Sequence, residues 1–325
     1  MMPLPDASSP LTADLAAEAF ANILDGKAVA SDIHHFLAVM SDRDETSIEI
    51  AAAVREMRKR MIAIRAPTGA IDVCGTGGDG AHSLNISTAV AIVVAACDVP
   101  VAKHGNRAAS SKAGAADTLE ALGLNLDRAS DMAEATLNDL GICFLFAQKH
   151  HPALAPLAPI RKAISKRTIF NLTGPAANPA GVKRQLIGVA RPDFMPVYAG
   201  ALELLGYDDA LLVAGDEPLD ELSISGASSF IRLGQAVERI TPETVGLPRH
   251  PLEALRGGDA AYNGAALSRL LDGEAGAYRD AVLFNAAAAL MVAGHVSDWH
   301  AGIEEAAEAI DKGLARTLLA CWIKY

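Results

Sequence analysis

Along the first sixty residues apolar side chains recur every three or four positions. Leu15, Ala19 and Ile23 follow Leu11-Thr12 and the run stops at Gly26, the spacing of one helical face closed by glycine. A second helix is expected through Ile33, Leu37 and Met40, capped by Ser31-Asp32. Asp44-Glu45-Thr46 opens a third, with Ile50, Val54, Met57 and Met61 on one face and Arg55, Arg58 and Lys59 elsewhere. Pro67-Thr68-Gly69 ends the helical pattern and marks a domain boundary.

Beyond it the period changes. Short apolar runs at Ile71–Cys74, Val99–Ala102, Ile142–Phe146, Gln185–Val189 and Ala210–Val213 read as buried strands, separated by helical patterns near Ser87–Ala96 and Gly114–Leu122. Asn171-Leu172-Thr173-Gly174-Pro175 reads as a rigid turn, Gly234–Glu238 as a hairpin tip, and the stretch from Leu252 as helical. Alternation of this kind predicts an α/β fold: a small N-terminal helical domain, residues 1–67, and a larger domain, 68–325, whose mostly parallel central sheet is flanked by helices. Ligands of such sheets sit at the carboxyl ends of the strands, so the loops that follow the strands carry the chemistry.

Charge and composition narrow the classes. There are 28 Lys and Arg against 39 Asp and Glu, a net charge of −11, with 51% hydrophobic and 21% charged residues. The chain is globular, and its sign disfavours nucleic acid and anionic membrane as partners. The longest apolar runs, Ala89–Ala102 broken by Asp98 and Ala281–Val296 broken by Asn285 and His295, fall short of the roughly 18 residues of a span. Cys74, Cys97, Cys143 and Cys321 are scattered, without metal or disulfide spacing, and a cytoplasmic location is expected.

Four loops hold candidate chemistry. Gly75-Thr76-Gly77-Gly78-Asp79-Gly80 follows the first strand and formally satisfies a dinucleotide fingerprint. Its helix opens about seven residues late, however, and the next strand leads into Lys103-His104 rather than an acid. A loop whose bare backbone approaches a ligand is the better reading, a plain turn the weaker one. Asn85-Ile86-Ser87-Thr88 stands at a helix start, where free N–H groups and hydroxyls can take an anion or simply cap the helix. Lys103 to Lys112 carries three full positive charges, His104 and two serines, a set suited to phosphate. Between Leu140 and Pro192 there is no acid, yet Lys149, Arg161, Lys162, Lys166, Arg167, Lys183, Arg184 and Arg191 all lie there; a planar arginine in this window suits a carboxylate. His150-His151 lacks a third ligand and does not read as a metal site. In Asp216-Glu217-Pro218-Leu219-Asp220-Glu221, four carboxylates in six residues repel unless a cation joins them, or else form an acidic surface turn.

Taken in order, Gly75-Thr76-Gly77-Gly78-Asp79, Asn85-Ile86-Ser87-Thr88, Lys103-His104-Gly105-Asn106-Arg107, Ser110-Ser111-Lys112, His151-Pro152-Ala153, Pro159-Ile160-Arg161, Arg167-Thr168-Ile169-Phe170-Asn171, Gly174-Pro175 and Leu219-Asp220-Glu221 resemble the anthranilate phosphoribosyltransferases over nearly the whole chain. The resemblance implies transfer of phosphoribose from phosphoribosyl pyrophosphate to the amine of anthranilate, in tryptophan synthesis. It implies a Mg²⁺-dependent homodimer joined through a helical domain that helices from about 150–170 complete, with two ions per subunit. Carried over by motif, Gly75, Gly78, Asp79, Ser83, Asn85, Ile86, Ser87 and Thr88 line phosphoribosyl pyrophosphate. So do Lys103, His104, Gly105, Asn106, Arg107, Ala108, Ala109, Ser110 and Ser111. Gly75, Asn106 and Arg161 hold anthranilate; Ser87 binds one ion, and Asp220 with Glu221 the other. No general base is assigned, because an aromatic amine is largely unprotonated at neutral pH. Ala115, Pro218, Ala176-Ala177 and Asp44 depart from the pattern, which has serine, glycine, leucine and glycine at the respective places. A pyrimidine nucleoside phosphorylase, which shares the wider fold, and a non-catalytic nucleic-acid-binding relative are the competing readings; the first would not need paired metal acids, and the charge opposes the second.

Overall fold

The computed structural model describes residues 2–108 and 111–325. Three helices open the chain: α1 (Ala13–Leu24), α2 (Ala30–Asp42) and α3 (Ser47–Arg58). Then follow β1 (Ile71–Gly75), α4 (Ile86–Ala95), β2 (Val101–Gly105), α5 (Ala115–Ala121), α6 (Leu126–Asp131), α7 (Ala133–Leu140) and β3 (Ile142–Phe146). The middle of the chain holds α8 (Ala147–His150), α9 (Ala158–Ile164), α10 (Ile169–Ala176), β4 (Arg184–Gly188), α11 (Met195–Leu204) and β5 (Asp209–Gly215). A hairpin, β6 (Ser228–Arg232) and β7 (Glu238–Ile240), precedes α12 (Ala260–Leu271), α13 (Ala277–Ala293), α14 (Trp299–Asp311) and α15 (Leu314–Lys324).

The seven strands form one sheet in the order β3-β2-β1-β4-β5-β6-β7. Strands β1 to β5 pair in parallel, while β6 and β7 pair antiparallel. Both faces are buried, and the two-residue period sorts the side chains between them. In β5, Leu211 and Val213 join α4, α13, α14 and α15, whereas Ala210, Leu212 and Ala214 join α1, α2, α3, α10 and α11. The first three helices therefore share an apolar core with α10, α11 and one face of the sheet. Helix α4 sits in the opposite core and is buried on nearly every side, as its unbroken run of Ile, Val and Ala requires.

Four expectations need correction. The second helix is entered from Val29, without a side-chain cap, and Ser31 and Asp32 lie in its first turns. The second strand begins at Val101, because Pro100 has no N–H for the ladder. It then runs on through Lys103, His104 and Gly105, which pair with Phe144, Leu145 and Phe146. Asn171 to Pro175 is not a turn but most of α10. Its last carbonyls are taken by distant side chains: Leu172 by Tyr198 Oη at 2.6 Å, Gly174 by His104 Nδ1 at 3.0 Å, Pro175 by Gln185 Nε2 at 2.9 Å and Ala176 by Arg58 Nη2 at 2.7 Å. Those donors let a helix carrying a proline near its end survive. Met61 also falls beyond α3, which ends at Arg58.

Candidate active site

The carboxyl ends of β1 and β4 lie under the acidic loop. A Cβ on Gly75 would stand 2.1 Å from Asp220 Oδ2, and one on Gly188 would stand 1.6 Å from the Asp220 carbonyl oxygen. Both positions must be glycine for the loop to lie this low. Asp220 Oδ2 accepts the Gly77 N–H at 2.8 Å, and the Asp220 N–H donates to Asp79 Oδ2 at 3.3 Å. Gly77, Gly78 and Gly80 take positive φ of 66°, 81° and 77°, with nothing within 4 Å of where a Cβ would be. Their exposed backbone is open to a ligand.

Glu221 lies beside the first turn of α4, where the Ser87 N–H acts on its carboxylate, and Lys103 opposes its charge. Burial, then the charge of Asp220, pushes the Glu221 carboxyl well up. Burial and the charge of Asp79 push Asp220 up to about 7. Ser87, Asp79, Asp220, Glu221 and Lys103 thus converge, although Asp79 and Glu221 stand 142 positions apart along the chain. A group of carboxylates in this state favours a cation, and their hard oxygens suit Mg²⁺. No three His, Cys, Asp or Glu side chains among the described residues close a cage by themselves, so phosphate and water would have to complete the shell.

Asn85 is a hub rather than a free ligand. Its Oδ1 accepts from Thr118 Oγ1 at 2.5 Å and Asn263 Nδ2 at 2.9 Å, and its Nδ2 donates to the Ala113 carbonyl at 3.3 Å. Ser83 forms a bridge with Arg256. Ile86 and Thr88 are buried at the start of α4. The segment is therefore clamped from α5 and α12, and its N–H groups keep a set direction.

In β2, Lys103 is 2% exposed and its Nζ donates to the Val73 carbonyl at 2.7 Å. Asp72, absent from the sequence assignment, is fully buried alongside. It accepts from the His104 N–H at 3.1 Å, Asn178 Nδ2 at 2.9 Å and Gln185 Nε2 at 3.0 Å. A lone acid inside an apolar strand was the available signal for it. Burial, and next the neighbouring His151, hold His104 well below its ordinary value; burial brings His151 down to about 4. The two rings lie 5.2 Å apart. Because His104 Nδ1 faces a carbonyl, it carries the proton, and Nε2 is a buried acceptor without a partner among the described residues.

The basic loop is less free than its composition implies. Arg107 pairs with Asp117 and Glu120, each at 2.8 Å. Asn106 is exposed and accepts from the Arg107 N–H at 2.8 Å. Gly105 and Ala108 are partly buried, and Ser111 is exposed. Ala109 and Ser110 lie outside the described residues. In the longer basic window, Lys149 pairs with Asp127, Lys166 with Asp42, Arg167 with Asp44 and Glu45, and Arg191 with Asp44 and Asp193. Lys166, Arg167 and Arg191 therefore tie the middle of the chain to the α2–α3 junction. Asp44 itself has φ of 63°, so its ion pairs offset a backbone conformation that glycine would adopt freely. Arg161 is different: it is half-buried on α9, 5.9 Å from the Phe170 ring centroid, with no carboxylate partner among the described residues. Burial lowers its proton affinity.

Comparison with known proteins agrees with this architecture. Residues 67–316 match the family model described as glycosyl transferase family, a/b domain. The chain is 62% identical over 323 residues to the anthranilate phosphoribosyltransferase of Novosphingobium aromaticivorans, covering 98% of both chains. The crystal structure of the Thermus thermophilus anthranilate phosphoribosyltransferase superposes with a TM-score of 0.94 at 40% identity, covering 98% of this chain and 96% of that one. The Saccharomyces cerevisiae enzyme, in complex with PRPP and Mg, gives 0.90 at 26% identity, covering 97% and 93%. With the glycine loop, the clamped helix start and the acidic pair in the arrangement just described, the chain belongs to the anthranilate phosphoribosyltransferases.

Proposed function

We propose that the protein transfers the 5-phosphoribosyl group of phosphoribosyl pyrophosphate to the amine of anthranilate, releasing pyrophosphate and N-(5-phosphoribosyl)anthranilate. The observation that carries this reading is the convergence of Gly77 backbone, the Ser87 end of α4 and the Asp79–Asp220–Glu221 acids at one end of the parallel sheet. Gly75, Gly78, Asp79, Ser83 and residues 85–88 line the phosphoribosyl pyrophosphate, and residues 103–108 with Ser111 contribute to the same site. Ser87 would hold one Mg²⁺, and Asp220 with Glu221 a second; bound there, the ions would supply positive charge beside the departing pyrophosphate.

The bond from the anomeric carbon to pyrophosphate oxygen breaks, the bond to the anthranilate nitrogen forms, and the nitrogen loses a proton to water. The chain's task is to place these atoms and to stabilise charge. Backbone N–H groups of the glycine loop and α4 face the phosphates, and Lys103 adds a buried cation. Arg161, with Gly75 and Asn106, receives anthranilate; its fork pairs with the carboxylate and so fixes which way the amine points. Incubating the protein with anthranilate, phosphoribosyl pyrophosphate and Mg²⁺ should extinguish anthranilate fluorescence, and omission of any one should leave it unchanged. Persistent fluorescence in the complete mixture would refute the proposal.

The same reading makes the protein a cytoplasmic homodimer joined through a helical domain of residues 1–67 and the helices near 150–170, beside an α/β domain of 68–325. Leu15 on α1 and Ile48 on α3, 45% and 44% exposed, support the first helices as the joining surface. Four free cysteines fit a reducing compartment. A sedimentation mass of one chain at micromolar concentration would count against the dimer.

A further inference from the structure

Helix α13 passes through the interior, and from Ala281 to Leu290 every residue on it is buried. One polar side chain interrupts that run. Asn285 has 0% of its surface exposed, so its amide must find partners or cost stability. Two of its three contacts lie on one residue of the acidic loop. Asn285 Oδ1 accepts the Leu222 N–H at 2.9 Å, and Nδ2 donates to the Leu222 carbonyl at 3.1 Å. Nδ2 also donates to the Ala281 carbonyl, one turn back on the helix, at 2.9 Å. The amide therefore grips Leu222 as a neighbouring strand would, from both sides, while α13 holds the amide.

Leu222 follows Glu221 directly, and its side chain is fully buried in the same core. On the near side of the acidic pair the loop is closed by the Gly215 N–H on the Leu219 carbonyl at 3.0 Å. On the far side the Ser223 N–H reaches Ser228 Oγ at 2.8 Å. Asp220 and Glu221 thus stand between these two closures, and Asn285 adds a further anchor from another layer of the fold. Hydrophobic packing alone would favour leucine here. That choice would strand a buried N–H and carbonyl on Leu222 and let the loop shift to satisfy them.

We propose that Asn285 is a positioning residue for the acidic pair: by gripping the Leu222 backbone it sets the depth and direction at which Asp220 and Glu221 present their carboxylates to a phosphate-bound divalent cation. The inference rests on the proposed role of that pair.

The test uses the full chain with phosphoribosyl pyrophosphate and Mn²⁺ as a paramagnetic probe, in wild type, Asn285→Ser, Asn285→Leu and Asp220→Asn/Glu221→Gln. Serine is too short to reach both Leu222 groups, and leucine keeps the volume but offers no polar atom. Each Asn285 variant should bind Mn²⁺ about 3- to 15-fold more weakly, the range of one or two neutral hydrogen bonds. The Mg²⁺ concentration for half-maximal rate should rise by the same factor, saturating Mg²⁺ should restore turnover, and the anthranilate KM should stay put. A folded Asn285 variant with wild-type Mn²⁺ affinity overturns the inference alone, as does a parallel loss of anthranilate KM, which would signal general loosening. Normal Mn²⁺ affinity in the double carboxylate variant overturns the reading of the acidic pair, and the inference with it. If neither Asn285 variant folds, hydrogen exchange in the wild type decides: the Leu222 amide should be protected like the amides of α13, and rapid exchange overturns the grip.

Discussion

Replacing Arg161 by alanine removes a half-buried cation that has no carboxylate partner among the described residues. Two opposing consequences follow from that environment. The free protein loses a side chain already disfavoured by burial and a weak contact with Phe170 at 5.9 Å, the latter contributing about 0.5–1 kcal/mol. Its melting temperature should therefore change little. The complex loses a charge-assisted hydrogen-bonded pair with the substrate carboxylate, about 1.5–3 kcal/mol. At about 1.4 kcal/mol per decade, kcat/KM for anthranilate should fall roughly 10- to 150-fold. The Km for phosphoribosyl pyrophosphate should hold, because the loops assigned to it lie elsewhere. Arg161→Lys should recover only part of the loss, since an ammonium cannot reproduce the planar fork. Initial rates by anthranilate fluorescence, varied in each substrate, separate the two constants. Unchanged anthranilate kinetics in the alanine variant would refute the placement of the carboxylate. A loss confined to phosphoribosyl pyrophosphate would reverse the substrate assignment.

The raised values of Asp220 and Glu221 make the cation-free protein lose stability as pH rises, because the folded state holds protons that the unfolded chain releases near pH 4; for Asp220 the loss runs from about pH 4 to about 7. Thermal melts without Mg²⁺ should show this slope, and Asp220→Asn/Glu221→Gln should flatten it; an unchanged slope would refute the assignment. The same double variant should lose at least about tenfold in turnover at limiting Mg²⁺. Gly188→Ala drives a Cβ into the Asp220 carbonyl, 1.6 Å away, so the loop must lift and the Mg²⁺ requirement should rise about tenfold; circular dichroism checks that the variant is folded, and an unchanged Mg²⁺ titration would refute the reasoning. Tyr207→Phe removes the hydroxyl 3.1 Å from Gln185 Oε1 and 3.2 Å from Arg58 Nη2, and urea titration should record a loss of about 1–3 kcal/mol.

How much of the site was legible depended on whether the signal was local. The glycine loop announces itself because four glycines in six residues have no purpose other than backbone exposure. Asp220-Glu221 does so because like charges crowd together. Asp72 and Asn285 were visible only as polar interruptions of apolar runs, and nothing nearby along the chain says which groups satisfy them. The eight-cation window gave the opposite error. As composition it suited an anion, whereas four of its cations reach acids on other segments and Lys183 and Arg184 donate to carbonyls, leaving Arg161 and Lys162 with neither kind of partner among the described residues. Lys103, His104 and Gly105 looked like loop because polar residues seldom lie inside a central strand. They pair within β2 because Asp72, the Val73 carbonyl and α10 satisfy them from neighbouring elements.

By itself the sequence determined the first three helices and the apolar parts of the parallel strands, since hydrophobic period and turn chemistry act within a few residues, but it did not determine α10 or the polar end of β2. It determined the α/β class, because strands alternating with helices can bury both faces only in a parallel sheet. It also determined the family, because the motifs are contiguous. The tertiary structure alone decided that Asp220, 145 positions after Gly75, lies across Gly75 and Gly188. It alone decided that Arg107 turns to Asp117 and Glu120 while Arg161 stays without a carboxylate among the described residues. Burial and pairing follow from the order of strands in the sheet and from which helix covers which face, and no short stretch of chain contains that information.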